Sequence, residues 1–349
     1  MSRRLASIIA FVSVLLVALP SAAQPPRDPA LAGYAERQEV RAFIREMADE
    51  HGFDRAALRR VFGEARYRRE IVVAMERPLL EPPKWYVYAR PFLAPERVAA
   101  GVSYWNVHAN ELARAEARYG VPAEIIVAIL GIETFYGKNT GKYRALDALT
   151  TLAFDYPRRS AFFRGELKQF LLLTRELRVS PLAPKGSFAG ALGVPQFMPG
   201  SYRSYGVHGD GPGHADLWTS PADIAGSVAN YLARHDWQPG APTLLPAVIA
   251  EAGRGEILRR LDGGLSERRT VDAWAADGVR LADSVAGPPE YPVGLLLLEE
   301  WSDGVESASY WIALNNFYVL TRYNRSRLYA TAVCELAKAV KAARGEVTR

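Results

Sequence analysis

One carboxylate stands in the stretch AILGIETFYGKN, residues 128–139, and every residue before it there is apolar. Counting back from Glu133 by four and then by three reaches Ile129 and Ile126, so on a helix the carboxylate shares a face with apolar residues. Burial without a paired cation raises the pKa of a carboxylic acid and keeps it protonated near neutral pH, as a general acid requires. A second interpretation remains open, in which Glu133 ends a helix and pairs with an arginine.

The residues after Glu133 offer surfaces that suit a sugar. Phe135 and Tyr136 place aromatic rings beside the acid, and Gly137 allows the chain to turn sharply. Sugars stack their C–H faces on aromatic rings and form hydrogen bonds with polar side chains such as Arg, Asn, Gln and Ser. The pattern is typical of a glycan-binding site around one acid.

Helices must position this acid. In VPAEIIVAILGIETFYG, Pro122 suits a first helical turn, and the apolar residues after it cover most of the circumference, which predicts a buried helix. Gly52 is expected to end one amphipathic helix, Asp54 to cap the next, and Ser220 to cap another. VSYWNVHANELARAEARYG also reads as helix. The segment 185–218 is too rich in glycine for regular structure and predicts a functional loop.

Short strand-like runs begin after residue 240 and continue to residue 312. Asp303-Gly304 lies between two apolar runs and predicts a hairpin. The final segment returns to a helical pattern. Its single cysteine, Cys334, is expected to be a buried apolar side chain, and one cysteine permits no disulfide within the chain.

The first 23 residues have the pattern of a cleavable signal peptide: Arg3 and Arg4, an apolar run at residues 8–19, and Ser-Ala-Ala before Gln24. We therefore expect export to the periplasm. No cysteine follows the predicted cleavage site, so no lipid attachment is expected there, and no later stretch is long and apolar enough to span a bilayer.

The 349 residues are 49% hydrophobic, which is typical of a soluble globular protein. The leader carries two of the 43 basic residues, which leaves 41 against 38 acidic ones. These basic residues form no cluster that would favour nucleic-acid binding. The five histidines show no metal-ligand spacing.

Several ordered motifs resemble the lytic murein transglycosylase B family, glycoside hydrolase family 103, in a soluble form. They extend from about residue 38 to the C-terminus and comprise GIETFYG, FDYPRRSAFFRGELKQFLLLTRE, KGSFAGALGVPQFMPGSYRSYGV, GHADLW, AGSVANYLARHDW and LNNFYVLTRYNRS.

The resemblance implies a mainly α, α+β fold: a lysozyme-like helical core with flanking helices and a small β-containing subdomain. The expected organisation is a signal peptide (1–23), a flexible lead-in (24–37), an N-terminal helical region (38–120), a lysozyme-like catalytic core (121–240), a small mixed subdomain with strands (241–312), and a C-terminal segment that completes the groove and closes the chain (313–349).

The resemblance also implies an activity. The family cleaves the β-1,4 bond between N-acetylmuramic acid (MurNAc) and N-acetylglucosamine (GlcNAc) of peptidoglycan without adding water, leaving 1,6-anhydroMurNAc ends, and Glu133 matches its single acid/base. Asp147 and Asp155 lie in segments that we interpret as structural. A muramidase-type hydrolase and a non-catalytic peptidoglycan-binding module remain as alternatives.

Further site residues follow from the same resemblance. Ser187, Gln196 and Phe197 match residues beside the scissile bond, and Arg158 and Arg159 match basic residues that meet the peptide stem or lactyl carboxylate. The remaining matches to groove residues are Tyr88, Tyr231, Tyr323 and Asn324.

Some members of the family carry a calcium loop before the GHxxLW-like motif. Here the loop has His208 and Pro212 where acidic ligands would be expected, and only Asp210 and Asp223 remain. We therefore expect a degenerate loop, no cofactor and no metal. The expected partners are glycan strands of peptidoglycan and other cell-wall enzymes, and the protein is expected to be a monomer.

Overall fold

Helices dominate the part of the chain that the computed structural model describes, which is residues 33–76, 83–209, 213–261, 263–282 and 290–347. The N-terminal helices are α1 (Gln38–His51), α2 (Arg55–Gly63), α3 (Arg69–Glu76), α4 (Trp85–Ala89), α5 (Pro95–Val107) and α6 (Ala109–Tyr119). The central helices are α7 (Ala123–Thr134), α8 (Ala145–Asp155), α9 (Ser160–Glu176), α10 (Pro199–Tyr205) and α11 (Pro221–Arg234). The later helices are α12 (Arg254–Arg259), α13 (Val271–Ala276), α14 (Asn315–Tyr323) and α15 (Arg327–Val347).

The predicted capping residues act as expected. Gly52 adopts a left-handed conformation (φ 66°) and ends α1. The Asp54 side chain accepts a hydrogen bond from the backbone N–H of Ala57, and the Ser220 side chain accepts one from Asp223 N–H. These local signals set where α1 ends and where α2 and α11 begin.

Two helical predictions need correction. The stretch predicted as one helix over residues 102–120 is divided between α5 and α6, because His108 between them (φ −113°, ψ 30°) leaves the helical conformation. The glycine-rich segment 185–218 contains α10, where Pro199 starts the helix at a position that needs no N–H donor.

The strands are β1 (Tyr143–Arg144), β2 (Lys185–Gly186), β3 (Leu244–Ile249), β4 (Val279–Leu281), β5 (Gly294–Ser302) and β6 (Val305–Ala313). β1 and β2 form a two-residue antiparallel pair, whereas the other four form an antiparallel sheet in the order β4-β3-β6-β5. β5 and β6 are joined by the predicted hairpin at Asp303-Gly304, where Ser302 pairs with Val305. Both turn residues have positive φ, the conformation that this two-residue turn requires.

Two apolar clusters hold these elements. The larger one joins the helices around α7, from Ile125 to Leu130 all buried, and includes apolar residues of α15. The smaller one lies against the sheet around the fully buried Trp274. The mainly helical fold with a small sheet is therefore confirmed.

Buried ion pairs fasten the N-terminal region to α8. Both carboxylate oxygens of Asp147 accept hydrogen bonds, from Arg144, from the Arg66 backbone N–H and from the Arg68 guanidinium. Asp155 accepts hydrogen bonds from Tyr34 and Arg37. These two carboxylates therefore have a structural role.

The last residues of the predicted lead-in differ from the expectation. Residues 24–32 and the signal peptide lie outside the described residues. Tyr34 is 3% exposed and lies in a 3-10 turn (Tyr34–Glu36), because its hydroxyl and the Arg37 guanidinium are held by Asp155. The ordered fold therefore begins before residue 38. Among the described helices, none has the length and apolarity to cross a membrane.

Candidate active site

The end of α7 is fixed by a turn in which Thr134 is the central residue. Its hydroxyl donates to Val194 C=O (2.9 Å) and accepts from Gly137 N–H (3.0 Å). Phe135 and Tyr136 both take positive φ, unusual for residues with side chains, and Gly137 continues the turn at φ 88°. Glu133, directly before this turn, is thereby held on the last turn of a buried helix.

Tyr136 locks the turn against two helices. Its hydroxyl donates to Arg97 C=O at 2.9 Å. A Cβ atom placed on Gly131 or on Gly101 would lie 2.6 or 2.5 Å from that hydroxyl oxygen, so only glycine at both positions leaves room for the ring. The close approach of α5 and α7 therefore depends on these glycines.

Glu133 has one hydrogen-bond partner among the described residues. The Tyr329 hydroxyl, on α15, donates to Oε1 of Glu133 at 2.7 Å, and no described arginine or lysine forms an ion pair with it. The alternative interpretation, in which Glu133 pairs with an arginine, is therefore not supported by the described residues. Burial raises the pKa of Glu133 to about 7, and the hydrogen bond from Tyr329 opposes part of that rise.

Aromatic rings continue from Tyr329 away from the acid. Tyr323 and Tyr329 are nearly parallel, at 12° with ring centroids 6.3 Å apart. Tyr323 also contacts Phe197 (5.8 Å) and Tyr231 (4.9 Å), and its hydroxyl donates to Pro195 C=O at 2.6 Å. The structure thus brings together three predicted residues next to Tyr329: Tyr323, which is partly exposed, and Phe197 and Tyr231, which are buried behind it.

Gln196 lies in the loop beside this cluster. It adopts a left-handed conformation (φ 53°), and its side-chain amide donates to the carbonyls of Thr140 (3.1 Å) and Gly193 (2.8 Å). Its Oε1 accepts no hydrogen bond from a described residue. The loop after α7 and the loop before Phe197 are joined by these bonds, which leave one acceptor atom for a ligand.

The remaining predicted residues vary in their relation to Glu133. Burial, followed by the charge of Glu133, raises the pKa of Tyr88, which places this tyrosine near the acid. Asn324 is exposed directly after Tyr323. The Ser187 hydroxyl accepts from Ala191 N–H (3.1 Å) and so supports its own loop.

The structure does not connect the two predicted arginines to Glu133. Arg158 and Arg159 are both exposed, and Arg159 lies over the Phe162 ring at 4.4 Å. No described hydrogen bond or ring contact joins either arginine to the acid or to the aromatic cluster. Their role in meeting a carboxylate stays a prediction.

Sequence analysis missed Tyr329, the residue that contacts the acid. It lies in a buried stretch of α15, between Leu328 and Ala330 and on the same face as Val333, and is itself 2% exposed. A tyrosine at such a position needs a hydrogen-bond partner for its hydroxyl, and that requirement is the signal that was available. The identity of the partner depends on how α15 packs on α7, which helical periodicity does not specify.

Asp223, a candidate ligand of the loop that is expected to be degenerate for calcium, accepts hydrogen bonds from backbone groups. Asp223 is 1% exposed, and its two oxygens accept from Gly209 N–H and Asp216 N–H, both at 2.7 Å. Its carboxylate therefore closes the loop through backbone donors. Asp210 lies outside the described residues, which contain no cluster of three or more His, Cys, Asp or Glu that could hold a metal.

A mainly helical, lysozyme-like fold with a partly buried acid beside aromatic side chains defines the class of this protein. Residues 35–338 match the family model described as the transglycosylase SLT domain, so the chain belongs to that family.

Individual relatives agree with this assignment. The chain is 39% identical over 325 residues to membrane-bound lytic murein transglycosylase B of Escherichia coli, covering 89% of this chain and 85% of that protein. It is similar to the structure of catenated lytic transglycosylase SltB1 from Pseudomonas aeruginosa (TM-score 0.82, 42% identity, 89% of this chain and 99% of that chain). It is also similar to SltB3 of the same organism in complex with NAG-NAM-pentapeptide (TM-score 0.73, 29% identity, 87% and 79%).

The raised pKa of Glu133 has a consequence for stability. Between the ordinary pKa of 4.5 and about 7, the folded state keeps a proton that the unfolded state loses, so the free energy of unfolding falls as pH rises through this range. Glu133→Gln still accepts the Tyr329 hydrogen bond and stays neutral. We therefore expect the free energy of unfolding of the variant, relative to that of the wild type, to rise by about 2–3 kcal/mol between pH 4 and pH 8.

Denaturant unfolding of both proteins across this pH range measures the difference. The exposed Glu70→Gln serves as the control, since its carboxylate forms no described ion pair. A constant difference between Glu133→Gln and wild type at all pH values would contradict a raised pKa at Glu133.

Proposed function

We propose that this protein is a peptidoglycan lytic transglycosylase in which Glu133 is the single acid/base. The observation that carries the proposal is the partly buried Glu133 carboxyl, which accepts a hydrogen bond from Tyr329 next to an aromatic cluster. Its family membership and its relatives, named as lytic murein transglycosylases, support the substrate class.

The first step uses the protonated form of Glu133. Tyr329 occupies Oε1, so Oε2 carries the proton and gives it to the glycosidic oxygen between MurNAc and GlcNAc. As that bond breaks, the 2-acetamido group of MurNAc, or an oxocarbenium ion, holds the positive charge at C1. Tyr323, the partly exposed ring of the cluster, stacks on a sugar and helps to fix the bond relative to Oε2, whereas the buried rings of Phe197, Tyr231 and Tyr329 support it.

The second step uses the carboxylate that remains. Glu133 takes the proton of the C6 hydroxyl of the same MurNAc, and O6 attacks C1 to form the 1,6-anhydro ring. Glu133 is protonated again at the end, and no water is consumed. A pKa of about 7 for Glu133 suits both the acid step and the base step, because each protonation state is accessible near neutral pH.

The hydrolase alternative requires a second carboxylate about 5 to 10 Å from the first. The two downstream candidates, Asp147 and Asp155, accept hydrogen bonds from arginines and Tyr34. Because these carboxylates are held in structural ion pairs, attack by the substrate's own hydroxyl is favoured over attack by water. The buried acid likewise favours catalysis over a purely glycan-binding role.

Peptidoglycan lies outside the cytoplasm, so the protein acts in a periplasmic or extracellular location. The periplasm is the finer proposal and depends on the predicted signal peptide. Activity without calcium or another cofactor stays a prediction from the sequence of the degenerate loop. Monomeric state and contact with other cell-wall enzymes stay predictions.

Mass spectrometry of soluble fragments released from purified peptidoglycan tests the proposal. We expect anhydro fragments one water lighter than reducing-end fragments, equally with EDTA and with calcium, and none from Glu133→Gln. Reducing-end products would favour the hydrolase, and tight binding without any product would favour the binding module.

A second expectation concerns Tyr329→Phe. Losing a hydrogen bond to the charged form raises the pKa of Glu133, by about one unit or more for a bond worth about 1.5–3 kcal/mol. The fall in kcat/KM at high pH, where the acid form disappears, should therefore move to higher pH by about one unit, with a loss in maximal rate because the base step needs the carboxylate.

The control is Tyr323→Phe, which removes a hydroxyl bonded to Pro195 C=O rather than to the acid. Its pH–rate profile should keep the wild-type position even if its rate falls. Equal profiles for wild type and Tyr329→Phe would show that Tyr329 does not act through Glu133.

A further inference from the structure

A cavity of about 390 Å³ opens beside the turn between α14 and α15. Its walls come from the loop around Leu265 and Ser266 and from the turn Arg325–Leu328. This volume falls in the range of ligand pockets, roughly 300–1,000 Å³. None of the residues predicted from sequence to contact the glycan lines it.

The cavity walls are held in place by Arg327. Its side chain donates to the carbonyls of Gly263 and of Leu297 and forms an ion pair with Glu299 at 3.2 Å. Gly264 packs directly on the guanidinium, where a Cβ atom would lie 2.5 Å from Cζ of Arg327. Because the loop is fastened to α15 in this way, the cavity is formed without a ligand.

Arg325 is the cationic residue of this cavity that could pair with a ligand. It is exposed, and no described residue forms a hydrogen bond or ion pair with it, whereas the Arg327 charge is matched by Glu299. The Ser266 hydroxyl, on the opposite wall, already accepts a hydrogen bond from Leu295 N–H and donates one to Glu267 C=O. A ligand here would therefore meet a guanidinium that no described residue pairs, which favours a carboxylate.

The cavity lies close to the proposed catalytic acid. Ser326 in its wall accepts a hydrogen bond from Tyr329 N–H, and the Tyr329 hydroxyl contacts Glu133. Asn324, the predicted groove residue, directly precedes Arg325 in the chain. One helical turn and the length of the Tyr329 side chain separate this wall from Glu133. An extended peptide spans about 3.3–3.6 Å per residue, so a stem of a few residues on a MurNAc bound at Glu133 covers that separation.

We propose that this cavity binds the peptide stem of the substrate and that Arg325 pairs with its terminal carboxylate. The proposal rests on the proposed function, since a stem peptide enters only as part of peptidoglycan. A stem that is joined to MurNAc through its N-terminus and is not cross-linked at its other end carries a C-terminal carboxylate, which is the anion that the Arg325 guanidinium would recognise.

Binding of two matched ligands tests this assignment. Synthetic GlcNAc-MurNAc-peptides that end in a carboxylate or in a carboxamide are titrated calorimetrically into the full protein. We expect the carboxylate form to bind about tenfold more tightly. Arg325→Gln should bring that ratio close to one, and Arg325→Lys, which keeps the charge, should retain part of it.

The control variant is Arg45→Gln, which removes the same charge from an exposed residue of α1 without a described ion pair. It should keep the wild-type ratio. A ratio that is near one in wild type, or that survives Arg325→Gln, would overturn the assignment.

Cleavage of glycan strands stripped of their peptides separates the two proposals. Arg325→Gln should cleave such strands at the wild-type rate, and a loss of activity there would show a general defect rather than loss of a carboxylate contact. Failure of the wild type to form anhydro products would refute the proposed function, whereas the carboxylate-to-carboxamide ratio is measured independently of cleavage.

Discussion

The partial burial of the Glu133 carboxyl group at the end of α7 is the constraint on which the site depends. Glu133 is placed where solvent stabilises its charge poorly, and its compensation from a described residue is a single hydrogen bond from Tyr329. A cation at the same position would lower the pKa and leave an ionised side chain. A neutral phenol instead orients one oxygen and leaves the pKa near neutrality.

The helices and turns around Glu133 hold its carboxyl group and the Tyr329 hydroxyl in contact. The buried helix α7 sets the position of the acid, and α15 supplies its partner from 196 residues further along the chain. Thr134 and Tyr136 fix the turn after the acid, the former through Val194 and the latter in a slot between two glycines. The buried ion pairs of Asp147 and Asp155 keep α8 joined to the N-terminal region, so those carboxylates serve stability.

Local sequence signals predicted much of this arrangement. Gly52, Asp54 and Ser220 act through neighbouring backbone groups, so their roles follow from sequence, and the continuous apolar pattern of α7 predicts its burial. Glu133 was recognisable because it interrupts that pattern. Tyr329 was not, because its contact with the acid depends on how two distant helices pack. The α10 helix was missed since the glycines around it suggested a loop throughout.

The central claim is that Glu133 remains protonated up to near-neutral pH in the folded protein, and its direct test is a carbon-13 NMR titration. The side-chain carboxyl carbon of Glu133 is assigned in glutamate-labelled protein by its absence from Glu133→Gln. We predict a midpoint near pH 7, well above those of the exposed glutamates. A midpoint at or below the ordinary value of 4.5 would mean that the acid is ionised at neutral pH, and the single acid/base account would be contradicted.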